Sequence, residues 1–197
     1  MLKQTWWNDN AVNLMGLFKS WVGDENAESK VYMANYLKNK NYYTLIDCGC
    51  GNGTFYYTLK NNNINIEYTG VDSCEYFIEL NTSNGIKMIN SDIRNIDISD
   101  NSYDIVFSRH VIEHQPEFNI ILNEFIRIGK KEVCHIFFIK PHNETEDKIN
   151  YDNKSNLYHN NYSKKSIENF LSKNKKISSW NWIEINDKEN ALHIYLI

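Results

Sequence analysis

The sequence predicts an α/β protein built on a doubly wound, mostly parallel seven-stranded sheet that ends in a C-terminal antiparallel hairpin. Three observations carry that expectation. Short apolar stretches alternate with helical patterns from about residue 42 onward, which implies parallel strands joined by right-handed crossovers. The first of these stretches runs straight into a glycine-rich turn and then a helix. The last two, over 177–185 and 191–197, are separated only by a turn at 186–190, so they pair antiparallel.

Residues 1–40 read as helical, because Leu14, Phe18 and Trp21 share one helix face and Val31, Met33, Tyr36 and Leu37 follow. They are expected to form an N-terminal cap or lid on a single globular domain whose sheet occupies 41–197. YYTLIDCGCGNG is an apolar strand entering the turn, and 54–60 is the helix after it. A second strand covers 64–71 and ends at Asp72; a short helix covers 73–80; a brief strand covers 86–89, before Asp92. The fourth strand covers 103–107. Pro116 stands at a first-turn position of a helix that runs to Ile128, with Phe118, Ile121, Leu122, Phe125 and Ile126 on its apolar side. A fifth strand covers 132–139. The polar stretch 141–161 reads as a long loop of the kind that serves as a functional lid, and Ser163 caps a helix over 163–171.

Composition narrows the function. With 197 residues, 42% of them hydrophobic, the chain can bury a real core. Twenty-five acidic against 21 basic residues leave no basic footprint for a nucleic acid. No apolar run approaches the roughly 18 residues of a membrane span, and the start MLKQTWWNDN lacks the apolar centre of a signal peptide. Cys48 and Cys50 flank one glycine, while Cys74 and Cys134 stand alone, so the four form neither a CxxC motif nor a zinc ligand set. A reduced, cytoplasmic protein without membrane or nucleic-acid partners is expected, of unassigned oligomeric state.

The chemistry concentrates at strand ends. Asp47, Cys48, Gly49, Cys50, Gly51, Asn52 and Gly53 lie between the first strand and its helix, where glycines let the backbone turn tightly and approach a ligand. Asp72 closes the second strand, where an acid can accept two ribose hydroxyls. Alone, these are a tight turn and an acidic cap; together they point to a nucleotide-like ligand. The spacing is GxGxG after an acid, not the GxGxxG of dinucleotide binding.

That DxGxGxG form resembles motif I of the class I S-adenosylmethionine-dependent methyltransferases. The resemblance continues through Asp72 in YTGVDSCEYF, through Asn90, Ser91, Asp92 and Ile93, through SYDIVFSRHVIEH and into the terminal hairpin, covering about 42–197. It implies a Rossmann-like methyltransferase fold with S-adenosyl-L-methionine as cofactor and S-adenosyl-L-homocysteine as product. It further implies that Asp47, Cys48, Gly49 and Gly51 face the methionine part, that Asp72 and Ser73 meet the ribose, that Asp92 and Ile93 flank the adenine, and that Ser108 lies near the sulfonium. The cysteines beside the motif glycines depart from the usual pattern, and their small side chains fit it.

Natural-product and sugar O-methyltransferases of this family use a histidine before the next helix as base. His114, in IEHQPE, looks like that position, with His110 second; the competing reading for both is packing and hydrogen bonding. No metal is expected. His110, Glu113 and His114 stand at i, i+3 and i+4, which would gather a ligand set on a helix, and ubiquinone-pathway relatives carry an acid-rich version associated with divalent metal; a solvated structural cluster is commoner.

For a small-molecule acceptor, candidates are Trp6 and Trp7 in the N-terminal segment and His142, Tyr158, His159 and Tyr162 in the long loop, whose rings suit stacking on a sugar or another ring. Trp21 and Phe18, and Trp180 with Trp182, read as packing. The expected activity is methyl transfer to a small molecule at a hydroxyl oxygen, with a sugar, sugar nucleotide or glycan precursor as the suggested class. Methylation of a small-molecule nitrogen, a cofactor-binding pseudoenzyme that assists another subunit, and a dinucleotide-dependent oxidoreductase are the alternatives.

Overall fold

The structure, a computed structural model, describes Asn10 and residues 25–197. In chain order its elements are α1 (Glu28–Lys38), β1 (Thr44–Cys48), α2 (Thr54–Asn61), β2 (Glu67–Asp72), α3 (Glu75–Ser83), β3 (Met88–Asn90), β4 (Tyr103–Arg109), a 3₁₀ turn (Ile112–His114), α4 (Phe118–Ile128), β5 (Gly129–Phe137), β6 (Tyr151–Asp152), β7 (Leu157–Tyr158), α5 (Lys164–Leu171), β8 (Ile177–Glu184) and β9 (Asn190–Leu196).

Seven strands form one sheet in the order β3-β2-β1-β4-β5-β9-β8. The first five in that order are parallel, and β9 pairs antiparallel with both β5 and β8. This is the architecture the alternating pattern and the terminal hairpin predict. Side chains alternate between the two faces with period two. Ile46, Cys48, Val106, Val133 and Phe137 meet α4 and α5 through Phe118, Ile121, Leu122, Phe125, Ile167 and Leu171. Leu45, Ile105, Phe107, Cys134 and Ile136 meet α1 and α2 through Met33, Ala34, Leu37, Phe55 and Leu59. Each of the Val, Leu, Ile, Phe and Met side chains among them stabilises the fold by roughly 1.5–3 kcal/mol when fully buried. None of the four cysteines forms a disulfide; Cys48, Cys74 and Cys134 are buried, Cys48 and Cys134 within the two hydrophobic clusters.

Helix α1 is held to the sheet by a polar anchor as well. Glu132, buried on β5, accepts from Tyr42 Oη at 2.6 Å, from Tyr36 Oη at 2.8 Å and from His193 Nδ1 at 2.5 Å. Such a group is tolerable inside because its acceptor positions are filled.

Local differences from the sequence reading have local causes. Pro116 lies outside α4, because Gln115 and Glu117 stay extended and Gln115 gives its carbonyl to Asn160 and Tyr162. Strand β3 is three residues long, since Ile86 turns back to bond the carbonyl of Asn81. The stretch 141–161 is not a plain loop but carries the small β6–β7 hairpin, in register at Tyr151↔Tyr158 and Asp152↔Leu157. Ser163 does cap α5, its hydroxyl accepting from Ser166 N at 3.2 Å. Leu14, Phe18 and Trp21 lie outside the described residues, so of the expected N-terminal helical segment only α1 is seen. No described helix is long and apolar enough to cross a membrane.

Candidate active site

The winding reverses between β1 and β4, so their C-terminal ends flank a crevice, the place where open sheets of this kind bind ligands. The glycine-rich turn lines one side of it. Gly49 has φ +78°, and a Cβ there would sit 2.5 Å from Val111 Cγ2, so this position requires glycine both for its conformation and for its close approach to the segment after β4. Gly51 has φ +53°, but an added Cβ would meet nothing within 4 Å: the turn faces open space there. Gly49 N and Cys50 N donate to Val71 O, which ties the turn to the end of β2.

Asp72 ends β2 and organises the turn. Its Oδ2 accepts from Gly51 N at 2.8 Å and its Oδ1 from Cys74 N at 2.9 Å. Burial pushes its pKa up, and these main-chain donors pull the other way. A carboxylate offers about four acceptor positions, and with Gly51, Cys74 and Ser73 as main-chain donors one remains for a ribose hydroxyl. Asp47 lies beneath the turn, 3% exposed, and accepts from Tyr68 Oη at 2.7 Å. Burial pushes it up to about 7, against the pull of the Tyr68 hydroxyl, Lys30 and Arg109. An acid poised there favours a neighbouring ammonium group, as an amino-acid moiety would supply. The open Gly51 face, the ribose-competent acid and the buried acid below fit a ligand with a sugar and an amino-acid arm.

The other expected cofactor residues are placed less simply. Ser73 is exposed beside Asp72, and Cys48 is buried in the core. Asp92 is half-exposed and forms an ion pair with Arg94, whose Nε lies 2.9 Å from Oδ1; that bond is the main reason its pKa is lowered. Ile93 is 8% exposed and belongs to the core cluster under α4. Ser108 is fully buried, with its Oγ 2.8 Å from His135 Nδ1.

The opposite wall comes from the end of β4. His114 Nδ1 lies 2.7 Å from Tyr158 O. A carbonyl can only accept, so Nδ1 carries the hydrogen and Nε2 is the basic nitrogen of the neutral ring. His110 Nε2 lies 2.6 Å from Glu189 Oε1, so there the hydrogen is on Nε2 and the basic nitrogen is Nδ1. Burial lowers the pKa of both rings and keeps them neutral near pH 7. Phe138 stands between them, its centroid 5.2 Å from each. His159 packs edge-on against His114 at 5.2 Å, and Tyr158 packs on Tyr151 at 4.8 Å.

The metal alternative does not assemble. His110 adopts φ +58°, which breaks the helical register that would have aligned it with Glu113 and His114. Glu113 is fully buried, accepting from Phe138 N at 2.6 Å and facing His135 Nε2 at 3.3 Å. Among the described residues no three His, Cys, Asp or Glu side chains form a metal cluster.

Of the acceptor candidates, Tyr158 and His159 join the His110–Phe138–His114 wall. His142 does not, since Nε2 bonds Asn161 O at 3.1 Å and Nδ1 accepts from Glu144 N at 3.2 Å, inside the loop. Nor does Tyr162, which is 1% exposed and gives its hydroxyl to Gln115 O. Trp6 and Trp7 lie outside the described residues. Arg109, Phe138 and Glu189 are neighbours that sequence reasoning missed. Glu189 reads as one more polar residue in a turn, and nothing near it in sequence signals His110.

Comparison with known proteins agrees with this geometry. A family model described as a methyltransferase domain matches residues 39–192. No curated protein matches the chain in sequence. Among solved structures, magnesium protoporphyrin IX methyltransferase from Synechocystis, with bound S-adenosylhomocysteine, superposes with a TM-score of 0.70 at 13% identity over 98% of both chains. A SAM-dependent methyltransferase from Aquifex aeolicus gives 0.66 at 15% identity over 100% of both. The 1,6-didemethyltoxoflavin-N1-methyltransferase from Burkholderia thailandensis gives 0.69 at 10% identity, over 98% of this chain and 86% of that one. By its fold, its glycine-rich turn and the match over most of its length, the chain belongs to the methyltransferase-domain family, among the class I S-adenosylmethionine-dependent methyltransferases.

Proposed function

We propose that the protein transfers a methyl group from S-adenosylmethionine to the hydroxyl oxygen of a small molecule, with sugars and sugar nucleotides as the acceptor class to try first. The observation that carries this reading is the open glycine turn at Gly51 braced by Asp72 and underlain by Asp47. When bound, the cofactor supplies a methyl group on a positively charged sulfur. Asp72, with Ser73 beside it, would accept a ribose hydroxyl, and Asp47 with the turn from Cys48 to Gly51 would meet the amino-acid arm. Asp92 and Ile93 would border the adenine, Asp92 by sharing its carboxylate with Arg94.

Most of the rate in such a transfer comes from placement in line with the methyl group. The chain contributes a base as well. His114 and His110 each hold one ring nitrogen in a fixed hydrogen bond, which leaves the other as the basic one. Tyr158, His159 and Phe138 would border the acceptor beside them. Residues 1–40 would act as a cap or lid over this crevice, and the single domain would work in the cytoplasm without nucleic acid, membrane or metal.

The test is transfer of labelled methyl from S-adenosylmethionine to a panel of sugar nucleotides, phenols and amines, with His114→Asn and His110→Asn beside the wild type. Expected is a labelled product whose rate falls about 10²- to 10⁴-fold in the variant that lacks the base. Label moving only to amines, at rates indifferent to both histidines, would turn the reading to nitrogen methylation. Cofactor binding with no product on any acceptor would instead favour a non-catalytic partner subunit.

A further inference from the structure

One cluster of charged groups lies outside the cofactor turn and is not explained by folding alone. It joins three distant parts of the chain: Ser29 in α1, Arg109 and His110 at the end of β4, and Glu189 in the turn between β8 and β9. Glu189 Oε1 receives three donors: Ser29 Oγ at 2.7 Å, Arg109 Nη2 at 2.9 Å and His110 Nε2 at 2.6 Å. Its Oε2 receives Asn186 Nδ2 at 2.9 Å, and Asn186 Oδ1 in turn accepts from Glu189 N at 2.9 Å. Arg109 Nε also donates to Ser29 at 2.8 Å. The Glu189 residue is 8% exposed, and the side chains of Arg109 and His110 are 9% and 15% exposed.

A buried ion pair is weak evidence for stability, because desolvation offsets much of its attraction. The cost here is compounded by His110, which sits at φ +58°, a left-handed conformation that is strained for a residue with a side chain. Strain and buried charge converge on one ring, and that ring packs on Phe138 in the acceptor wall.

We propose that Glu189 is a positioning residue for methyl transfer: it fixes the Nε2–H form of His110 and so presents Nδ1 as the nitrogen that takes the proton of the acceptor hydroxyl. The inference rests on the methyltransferase reading above. In the step, the hydroxyl proton passes to Nδ1, the oxygen bonds the methyl carbon, and the carbon–sulfur bonding pair stays on sulfur. The imidazolium then returns the proton to water. The hydrogen bonds from His110, Ser29 and Asn186, with the charge of Arg109 on the same carboxylate oxygen, outweigh burial and keep Glu189 ionised. The charged groups that bear on His110 are Glu189 and Glu113, which favour its protonation, and Arg109, which opposes it; Phe138 is the apolar contact.

The test is a nitrogen-15 titration of the histidine side chains in the free protein, assigned by His110→Asn, in the wild type, Glu189→Gln and Glu189→Asp, with S-adenosylhomocysteine titrated into each. In the wild type, His110 is expected to hold hydrogen on Nε2 throughout, with the titrating proton entering at Nδ1. In Glu189→Gln the two neutral forms should mix and the midpoint should fall by about one pH unit, with partial recovery in Glu189→Asp. Affinity for S-adenosylhomocysteine should stay within about twofold. An Nδ1–H ring in the wild type overturns the proposal, even if Glu189→Gln fails to fold. An unchanged form and midpoint in a folded Glu189→Gln overturns it too. Failure of the wild type to bind S-adenosylhomocysteine would sink the methyltransferase reading instead, and the titration would still decide whether Glu189 sets the ring.

Discussion

Asp47 is the residue whose removal should make the protein more stable and a poorer binder. It is fully enclosed, and burial pushes it from 3.8 up to about 7, even with Tyr68 Oη at 2.7 Å and Lys30 and Arg109 nearby. Between those values the native state holds a proton that the unfolded chain has released. Stability therefore declines as pH rises through that window, and above about 7 the whole penalty is present. Roughly three pKa units at 1.36 kcal/mol each amount to about 4 kcal/mol. Asp47→Asn keeps the shape and can still accept from Tyr68, but never ionises. It should raise unfolding free energy by about 2–4 kcal/mol at pH 8, with the gain shrinking toward zero near pH 4. Urea denaturation of both proteins from about pH 5 to pH 8 reads this directly. The same variant should bind S-adenosylhomocysteine about tenfold more weakly, a difference of about 1.4 kcal/mol. A variant less stable than wild type at pH 8, or a difference that does not change with pH, would refute the reasoning.

Other substitutions test other parts of the fold. Phe125→Ala on α4 removes a ring that is 0% exposed and should cost about 3–5 kcal/mol in urea denaturation. Glu132→Ala leaves His193, Tyr36 and Tyr42 without their shared acceptor; a loss of about 3–5 kcal/mol is expected by the same measurement. Gly49→Ala places a methyl 2.5 Å from Val111 at φ +78°, and should cost at least about 1–2 kcal/mol from the backbone alone. Adding Val111→Ala should relieve the clash but not the backbone term, so thermal melts of the double variant should recover only part of the loss.

What the sequence made legible was local. Strand period, glycine punctuation and the acids at strand ends lie within a few residues of the features they signal, so β1, the turn at Gly49 to Gly53 and Asp72 are written locally in the sequence. The terminal hairpin was legible for the same reason. What was not legible depends on contacts across the chain. Glu189 meets His110 from 79 residues away, and Ser108 meets His135 from 27. The ligand spacing of His110, Glu113 and His114 assumed a helix, and one left-handed residue at His110 undid it. Tyr162 and His142 looked like ring-stacking candidates by type, but Gln115 in one case and the loop backbone in the other had already claimed their polar atoms. The β6–β7 hairpin has two-residue strands in a polar stretch, too short for any periodic signal.

The central claim is that the turn at Gly49 to Gly53 and Asp72 hold S-adenosylmethionine. Calorimetric titration of the wild type and of Asp72→Ala with S-adenosylmethionine, S-adenosylhomocysteine and NADH tests it most directly. Expected is one site for the first two ligands, none for NADH, and binding lost or at least about tenfold weaker in the variant, which gives up an acceptor for the ribose and the brace on Gly51 N. Binding of NADH in place of the sulfonium ligand, or full affinity for S-adenosylhomocysteine in Asp72→Ala, would contradict it.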